Sequence, residues 1–429
     1  MTIEELFNHH IQNYFVTRKN KRYGKDAMAY EVNWAALLIR TMREFENRTF
    51  RIRHNYAFLT SVPKWREIIA TEFAGRLADH EVCDTISPFT EIELSPRTYN
   101  NRKGKGASAA ILQVEEDMKA VSENFTKKSW IIKLDFKGYF PNALWEHAYR
   151  CVKAIIDKHV QDKEQRDYLN WLAKSCIYAN PAKNCILKTP RRFWDMHIEP
   201  EKSIFTKPYG VGAAIGRLVW QLSMGLYVND DIKWFSEECG VCVVCFVDDI
   251  VIQVPDEKKS YALSLLPEFR KRLAKKNIRL NEKKFYCQPV NHGLEFLGSH
   301  IKPNRKHLNN KTFGNAIYKI DLFNDLEDKY DYIDKFMETV NSYTGLLKNR
   351  NDFKRIEFLR RRISVEWYKY LFWNEKKHCL NCIPKYSIRE RLNKKYHLKL
   401  KHHETKRKRP TAECPVESDS RVRSKVEGK

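Results

Sequence analysis

The sequence predicts an α+β fold in which short strands carry acidic side chains and helices make up much of the remaining chain. Two apolar runs without internal Gly or Pro, 130–135 and 241–254, are typical of buried strands. Segments 34–45 and 353–363 instead place apolar residues at helical intervals. Strand regions and helix regions in separate parts of one chain favour the α+β class.

Residues 241–254 are predicted to form a β-hairpin with Asp248 and Asp249 at its tip. Two neighbouring carboxylates between buried strands resist ionising together unless a cation neutralises them. Hard divalent cations that prefer oxygen ligands, above all Mg²⁺, meet that need. A polar turn that merely faces water is the alternative interpretation of this segment.

A third acid, Asp135, ends the other predicted strand, and Gly138 and Pro141 then turn the chain. Asp135 is far from the Asp248–Asp249 pair in sequence, so the three can meet only in the folded protein. Three carboxylates at strand ends match the requirement of two-metal phosphoryl transfer. In that chemistry one ion activates a 3′-hydroxyl and the other stabilises the leaving pyrophosphate.

At these two motifs the chain resembles the bacterial reverse transcriptases of antiphage defence and of diversity-generating retroelements. Asp135 resembles the acid of the first palm motif, and 246–249 a variant of the aromatic-x-Asp-Asp signature. The resemblance covers roughly residues 45–350 and implies a right-hand polymerase with fingers, a palm with an antiparallel sheet, and a helical thumb. It also implies two Mg²⁺ ions, with Mn²⁺ as a substitute, held by Asp135, Asp248 and Asp249, of which Asp249 is the weaker ligand.

Two segments resemble the fingers motifs of that family. The first, 62–70, implies that Lys64 and Arg66 hold the triphosphate of an incoming nucleotide. Ordinary exposed charges are the alternative. In the second, 99–110, basic residues alternate with glycines, which lets the backbone approach a phosphate, and a helix is expected from Ala107 onward. The candidate nucleic-acid contacts in this loop are Arg102, Lys103 and Lys105.

Phe140 stands where the family places an aromatic ring beneath the sugar. Such a ring would collide with a ribose 2′-hydroxyl, which implies deoxynucleotide substrates; simple core packing is the alternative. Segment 207–221 resembles the second palm motif. Aligning Gly216 with the motif glycine puts Ile215 where many members have a Gln near the templating pair. The loss of that hydrogen-bonding group leads to the hypothesis of relaxed fidelity or template use.

Lys284, in a segment that resembles the fourth palm motif, is the candidate acid that protonates departing pyrophosphate, and Lys283 is the fallback. A solvated basic turn explains the same lysines. Residues 293–301 are predicted to form a tight apolar hairpin and resemble the primer grip.

The composition favours a polyanionic partner. The 429 residues include 78 Lys and Arg against 54 Asp and Glu, for a formal net charge of +24. Such a surplus favours binding to a phosphate backbone through counterion release, although an anionic membrane surface attracts the same charge. No apolar segment approaches the ~20 residues of a membrane span, and the N-terminal residues lack the bases and apolar core of a signal peptide. A cytoplasmic enzyme without a membrane partner is therefore expected.

The 11 cysteines are interpreted mainly as buried thiols. Cys379 and Cys382 have zinc-ligand spacing, but further ligands at regular spacing are lacking, so a zinc site is left open.

The expected organisation has five parts. They are an N-terminal helical extension (1–60), fingers (61–130), a palm (131–310) with an insertion of unassigned role at about 150–205, a helical thumb (311–400), and a basic tail (401–429) expected to be disordered.

The leading prediction is an RNA-directed DNA polymerase of bacterial antiphage defence that works with a non-coding RNA. Its expected partners are an RNA template or non-coding RNA, dNTPs and a DNA product, and a protein partner or homo-oligomer is left open. The alternatives are an error-prone enzyme of a diversity-generating retroelement, a template-independent or protein-primed DNA polymerase, and a catalytically inactive nucleic-acid-binding protein. The intact acids disfavour the last, because a pure binder has no reason to concentrate anions where phosphates must lie.

Overall fold

The computed structural model describes residues 3–19, 24–61 and 64–394, with side chains from residue 8 onward. These residues divide into two compact units between His307 and Leu308. The predicted basic tail, 401–429, lies outside the described residues. Within the described ranges, no helix combines the length and the apolar character that crossing a membrane demands.

The helices of the first unit are α1 (Ile3–Arg18), α2 (Lys25–Glu31), α3 (Trp34–Glu46), α4 (Phe73–Glu93), α5 (Ala107–Val121), α6 (Trp145–His159), α7 (Lys163–Ile177), α8 (Arg192–His197), α9 (Leu218–Tyr227), α10 (Asn229–Lys233), α11 (Lys259–Ser264) and α12 (Leu266–Ala274). Its strands are β1 (Asn55–Thr60), β2 (Arg66–Thr71), β3 (Ser129–Lys137), β4 (Cys185–Leu187), β5 (Cys242–Phe246), β6 (Asp249–Pro255), β7 (Arg279–Leu280), β8 (Tyr286–Pro289), β9 (Leu294–Phe296) and β10 (Ser299–Lys302), followed by β11 (Arg305–Leu308) across the boundary.

A five-stranded antiparallel sheet lies at the centre of the first unit. Its order is β5-β6-β3-β7, and β8 also pairs with β3. Ile132 and Ile252 lie opposite each other on β3 and β6, and both are fully buried. Apolar, β-branched residues at such positions fill both faces of the sheet. The predicted α+β class with an antiparallel sheet is confirmed.

The segment at about 150–205, whose role was not apparent from the sequence, is built into this unit. It supplies most of α6 and all of α7, which pack against each other and against α9 in the main core. It also supplies β4, which pairs in parallel with β1 and completes a second sheet of order β2-β1-β4.

The buried carboxylate of Glu67, on β2, fastens the same segment. It accepts hydrogen bonds from Trp194 Nε1 (2.7 Å), Ser203 Oγ (2.7 Å) and the Ile204 N–H (2.8 Å). A buried carboxylate is tolerated only where donors satisfy it, so these three contacts make the segment an integral support of β2.

The second unit has its own core. It contains α13 (Asn310–Asn324), α14 (Ile333–Lys348), α15 (Phe353–Arg362), β12 (Leu371–Asn374) and β13 (Cys379–Cys382). Ile320, Phe336 and Trp367 are buried at its centre. The antiparallel pair β12–β13 was not predicted, since the whole segment was expected to be helical.

Cys379 and Cys382 lie at the two ends of β13. Their thiols contact the Asn381 side chain and the Ile383 carbonyl. Across the described ranges, no group of three or more Cys, His, Asp or Glu ligand atoms gathers around this pair. The zinc-like spacing therefore coincides with an ordinary two-stranded hairpin.

Candidate active site

The predicted acidic hairpin is present. Phe246, the last residue of β5, pairs with Asp249, the first residue of β6, so Val247 and Asp248 form a two-residue turn. Val247 has a φ of +58°, which is a genuine outlier for a β-branched residue. The turn that carries the acids is therefore held in a backbone conformation that its own sequence disfavours.

Asp135 meets this turn through strand pairing. It lies opposite Asp249 in the β3–β6 register, and the Phe136 N–H donates to the Asp248 carbonyl at 2.9 Å. Burial raises the pKa of Asp248 above its usual range, and repulsion from Asp249 and Asp135 raises it further. The structure thus brings the three predicted acids to one end of the central sheet, where their charges oppose one another.

Lys284 contacts Asp135 directly. Its Nζ donates to Asp135 Oδ1 at 2.6 Å, while Asn281 Nδ2 donates to Oδ2 at 3.2 Å. Burial lowers the pKa of Lys284, but the bond to Asp135 and the attraction of the neighbouring acids outweigh this effect and raise the pKa overall. A protonated ammonium group therefore stands beside the acids. Its neighbour Lys283 is exposed.

Asp249 has a cationic partner that sequence reasoning missed. Lys133 Nζ lies 3.3 Å from Asp249 Oδ1. The signal was available, because residues two apart on a strand face the same side and Lys133 precedes Asp135 by two. The apolar character of the surrounding run drew attention away from this lysine.

The donor chemistry of the three aspartates fits divalent cations. Carboxylate oxygens are the ligands that Mg²⁺ and Mn²⁺ prefer, and repulsion from Asp249 and Asp135 adds to the effect of burial in raising the pKa of Asp248. The carboxylates are not, however, drawn together around one point. Among the described residues, only His9, His10 and Glu81 form a group of three ligand atoms within 4.8 Å of one another. Asp135, Asp248 and Asp249 are the residues that would hold such ions, and Asp135 accepts a hydrogen bond from Lys284 Nζ.

The predicted triphosphate contacts lie at the tip of the β1–β2 hairpin. Arg66, the first residue of β2, pairs with Thr60, the last residue of β1. Both Lys64 and Arg66 are exposed. Burial is the main influence on the pKa of Asp248, but the charge of Lys64 acts in the opposite direction and lowers it. Lys64 is thus near enough to the acids to interact with them.

An aromatic stack supports this tip. The Trp65 ring lies 3.9 Å from the His197 ring of α8, at an interplanar angle of 5°. Sequence reasoning passed over Trp65, because its stacking partner is remote in sequence.

The basic loop at 99–106 differs from expectation. Arg102 donates to Glu91 Oε2 (2.9 Å) and to the carbonyls of Ser95 (2.7 Å) and Thr98 (3.0 Å), and its side chain is only 6% exposed. This geometry assigns Arg102 to the structure of the loop, against the prediction that it contacts nucleic acid. The Ser95 and Thr98 acceptors are main-chain carbonyls, which residue types do not reveal, and this accounts for the difference.

The two lysines of the loop also differ from each other. Lys105 Nζ lies 4.8 Å from the centre of the Tyr99 ring, and burial lowers the pKa of this lysine. Lys103 is exposed. The expected helix does begin at Ala107, as α5.

Asn100 is a third residue that sequence reasoning missed. Its Oδ1 accepts the Val247 N–H at 3.1 Å, and the residue is only 6% exposed. The chain just before Asn100 is fixed to β5, since the Cys245 N–H donates to the Arg97 carbonyl and the Tyr99 N–H to the Cys245 carbonyl. Asn100 is thereby placed under the strained turn.

The second palm segment docks on β2. The Ile69 N–H donates to the Ile215 carbonyl at 2.9 Å. Gly216 has a φ of +120°, and a Cβ there would lie 3.0 Å from Ile68 Cγ2 and from the Ile69 carbonyl oxygen. Ile215 is half-buried. Gly216 therefore allows the loop to approach β2 more closely than a larger residue would permit.

Phe140 adjoins the same segment. Its carbonyl accepts the Ala213 N–H at 2.8 Å, and its half-buried ring contacts Tyr139 edge-on at 5.8 Å. Close beyond Gly216, the buried Arg217 pairs with Asp79 of α4 (2.5 and 3.2 Å) and donates to the Cys176 carbonyl. The loop is thus fixed at both ends.

The predicted tight hairpin at 293–301 is also present. β9 and β10 are joined by Leu297 and Gly298, whose φ angles of +47° and +74° suit a two-residue turn of type I′. Lys133 Nζ donates to the Glu295 carbonyl at 2.9 Å. One lysine side chain therefore joins this hairpin to the acids.

Comparison with known proteins identifies the family. The model described as "Reverse transcriptase (RNA-dependent DNA polymerase)" matches residues 60–301. No curated protein matches the chain.

Three solved structures, all of telomerases, are similar to the chain. The apo enzyme of Candida tropicalis has 11% identity to this chain and a TM-score of 0.46, and the match covers 74% of this chain and 59% of the telomerase chain. The C. tropicalis form truncated from its C-terminal domain has 11% identity, coverage of 60% and 55%, and a TM-score of 0.42. The C. albicans enzyme in complex with a fragment of telomeric RNA has 9% identity, coverage of 80% and 63%, and a TM-score of 0.39. The chain thus spans less than two thirds of the length of each.

The family match covers more than half of the chain and includes all three aspartates and Lys284. This chain belongs to the reverse transcriptase family.

Proposed function

We propose that this chain is an RNA-directed DNA polymerase, a nucleotidyltransferase that adds dNTPs to a 3′ end. The observation that carries the proposal is the meeting of Asp135, Asp248 and Asp249 at one end of an antiparallel sheet within the family region. Placing three repelling carboxylates together is costly, and a function that requires cations at this point supplies a reason for that cost.

The acids and Lys284 have different roles in the proposed reaction. Asp135 and Asp248, with Asp249 as the weaker ligand, would hold two Mg²⁺ ions, or Mn²⁺ in their place. When bound, such ions activate a 3′-hydroxyl and stabilise the charge on pyrophosphate. The 3′-hydroxyl gives its proton to solvent and its oxygen forms a bond to the α-phosphorus as the bond to pyrophosphate breaks, while Lys284 Nζ gives a proton to the departing pyrophosphate.

Other side chains select and orient the nucleotide. Lys64 and Arg66 bind the triphosphate at the fingers tip, and the Phe140 ring excludes a ribose 2′-hydroxyl. The exposed Lys103 contacts the phosphate backbone of the nucleic acid. Arg102 has no place in this set, because its donors serve the loop itself.

The proposed setting is bacterial antiphage defence, with a non-coding RNA as partner or template and DNA as product. The resemblance of the motifs to that group supports it, as does the net charge of +24, which suits a polyanion. An error-prone enzyme of a diversity-generating retroelement is the alternative setting. Neighbouring genes distinguish the two, since paired repeats beside a variable-protein gene belong to the retroelement.

Template-independent or protein-primed synthesis is a second candidate, favoured by Ile215. Ile215 carries an apolar side chain where many members have a Gln, and its carbonyl is used to dock the loop on β2. A template base would lose a hydrogen-bonding partner there, so dependence on the template would be weaker.

Purified protein incubated with Mg²⁺, labelled dNTPs and a primer tests these functions. We expect products whose sequence is complementary to an added RNA template. Products of arbitrary sequence that persist without RNA would establish the template-independent candidate instead. RNA binding without incorporation in any reaction would leave an inactive binder and refute the proposal.

A further inference from the structure

We propose that Lys133 is a positioning residue that neutralises Asp249 and fastens the β9–β10 hairpin to the active site. The inference rests on the proposed polymerase function and assigns it a residue outside the expected motif roles. Lys133 does not touch the reacting atoms, so its effect passes through the groups that it holds.

Three contacts fix the ammonium group of Lys133. It lies 3.3 Å from Asp249 Oδ1, donates to the Glu295 carbonyl at 2.9 Å, and lies 5.9 Å from the centre of the Phe296 ring. The side chain is only 15% exposed. A partly buried ammonium held by an anion, a carbonyl and a ring loses little freedom on binding and interacts strongly with each.

The position of Lys133 on β3 makes this bridge possible. Lys133 lies opposite Val251 on β6 and Tyr286 on β8. It therefore stands between the strand that begins with Asp249 and the chain that leads into β9. Neither Val251 nor Tyr286 carries a positive charge. Lys133 thus supplies the positive charge at this point.

The ion pair has a consequence for metal binding. Lys133 offsets the charge of Asp249 as Lys284 offsets that of Asp135, so the negative charge that a cation would meet is reduced at both carboxylates. A fixed positive charge close to the site also repels divalent ions. Lys133 therefore weakens cation binding while it holds the hairpin that resembles the primer grip.

These two effects have opposite signs, which separates the proposal from a merely structural role. Replacing Lys133 by a neutral residue should strengthen the binding of cations and at the same time weaken the binding of the primer. General damage to the fold would weaken both.

The test compares Lys133→Met and Lys133→Arg with the wild type, and Lys128→Met serves as the matched control on an exposed lysine just before β3. Mn²⁺ binding is measured on the protein alone by electron paramagnetic resonance, and primer KM and kcat are measured separately. We expect Lys133→Met to lower the Kd for Mn²⁺ by at least about threefold and to raise the primer KM. Lys133→Arg and Lys128→Met should remain close to the wild type.

A double substitution tests the assignment to Asp249. Adding Asp249→Asn to Lys133→Met removes the charge that Lys133 balanced, so the Kd for Mn²⁺ should return towards the wild-type value. Lys133→Gln replaces Lys133→Met if the latter fails to fold.

Unchanged or weaker Mn²⁺ binding in a folded neutral variant would overturn the proposal. So would a primer KM equal to that of the wild type. Failure of the wild type itself to extend a primer is a different result and would refute the proposed function instead.

Discussion

Asn100 and Val247 form a contact on which the orientation of Asp248 depends. The Val247 backbone has a positive φ that costs a β-branched residue about 1–2 kcal/mol, and the Asn100 carboxamide oxygen accepts its N–H. Replacing Asn100 by Ala leaves a half-buried N–H without its acceptor. We expect Asn100→Ala to lower kcat by about tenfold or more with little change in nucleotide KM, as measured by primer extension.

Two further variants examine the cause. Asn100→Asp retains an oxygen acceptor and should keep more activity than Asn100→Ala. Val247→Gly removes the backbone strain, so it should restore part of the activity in the Asn100→Ala background. A double variant no more active than Asn100→Ala alone would show that the turn does not depend on this contact.

Phe140 provides a second prediction for a single residue. Its ring is half-buried beside the loop that contains Ala213 and Ile215. If the ring excludes a ribose 2′-hydroxyl, Phe140→Ala should reduce the preference for dNTP over NTP by at least about tenfold. The ratio of kcat/KM values for the two nucleotides measures this effect. An unchanged ratio, with normal dNTP incorporation, would assign the ring to packing alone.

The acidic residues could be predicted because their chemistry is visible in the sequence. An aspartate at the end of an apolar run is conspicuous, so Asp135, Asp248 and Asp249 could be identified without knowledge of their contacts in the fold. Asn100 and Lys133 are ordinary polar residues whose roles arise only from contacts between distant segments. Arg102 differs from both, because its acceptors are near in sequence but include the main-chain carbonyls of Ser95 and Thr98, which a sequence does not mark as hydrogen-bond partners.

At the scale of elements, the docking of the 213–217 loop on β2 helps to set where the β1–β2 hairpin lies relative to the acids. Gly216 permits this contact because a Cβ would approach Ile68 and the Ile69 carbonyl at 3.0 Å, at a φ that L side chains rarely adopt. We expect Gly216→Ala to reduce the free energy of unfolding by about 2–3 kcal/mol, measured by chemical denaturation.

Gly240→Ala is the matched control for that substitution. Gly240 also has a positive φ, of +62°, but its Cβ would meet nothing within 4 Å. Its loss of stability should be limited to backbone strain, about 1 kcal/mol. Equal losses at the two glycines would contradict a special role for the loop contact.

Hairpins were the elements best predicted from the sequence, because a short apolar run, a turn and a second run form a local pattern. The β5–β6 and β9–β10 hairpins both occur where expected. β4 was not foreseen, since its partner β1 is more than 100 residues away. The β12–β13 hairpin was overlooked because amphipathic helices precede it and its strands have only 4 residues each.

At the scale of the whole molecule, the net positive charge is the property with the largest expected effect on nucleic-acid binding. The chain carries a formal charge of +24, and a protein that neutralises phosphates releases the counterions condensed on them. We expect the affinity for a primer–template duplex to fall by about 10³-fold or more between 50 and 200 mM salt, if about six phosphates are contacted.

That dependence should be nearly the same for unrelated sequences, because phosphate contacts carry no sequence information. Fluorescence anisotropy at several salt concentrations measures it. An affinity that changes little with salt would show that the surplus charge serves another purpose.

The central claim concerns the three acids, and the rate of primer extension by Asp248→Ala/Asp249→Ala tests it most directly. Asp230→Ala, which removes an exposed aspartate from α10, is the control. We predict that the double variant folds, since it removes mutual repulsion, yet loses more than about 10²-fold in rate, while Asp230→Ala retains wild-type activity. Primer extension by the folded double variant at a rate near that of the wild type would contradict the assignment of this site.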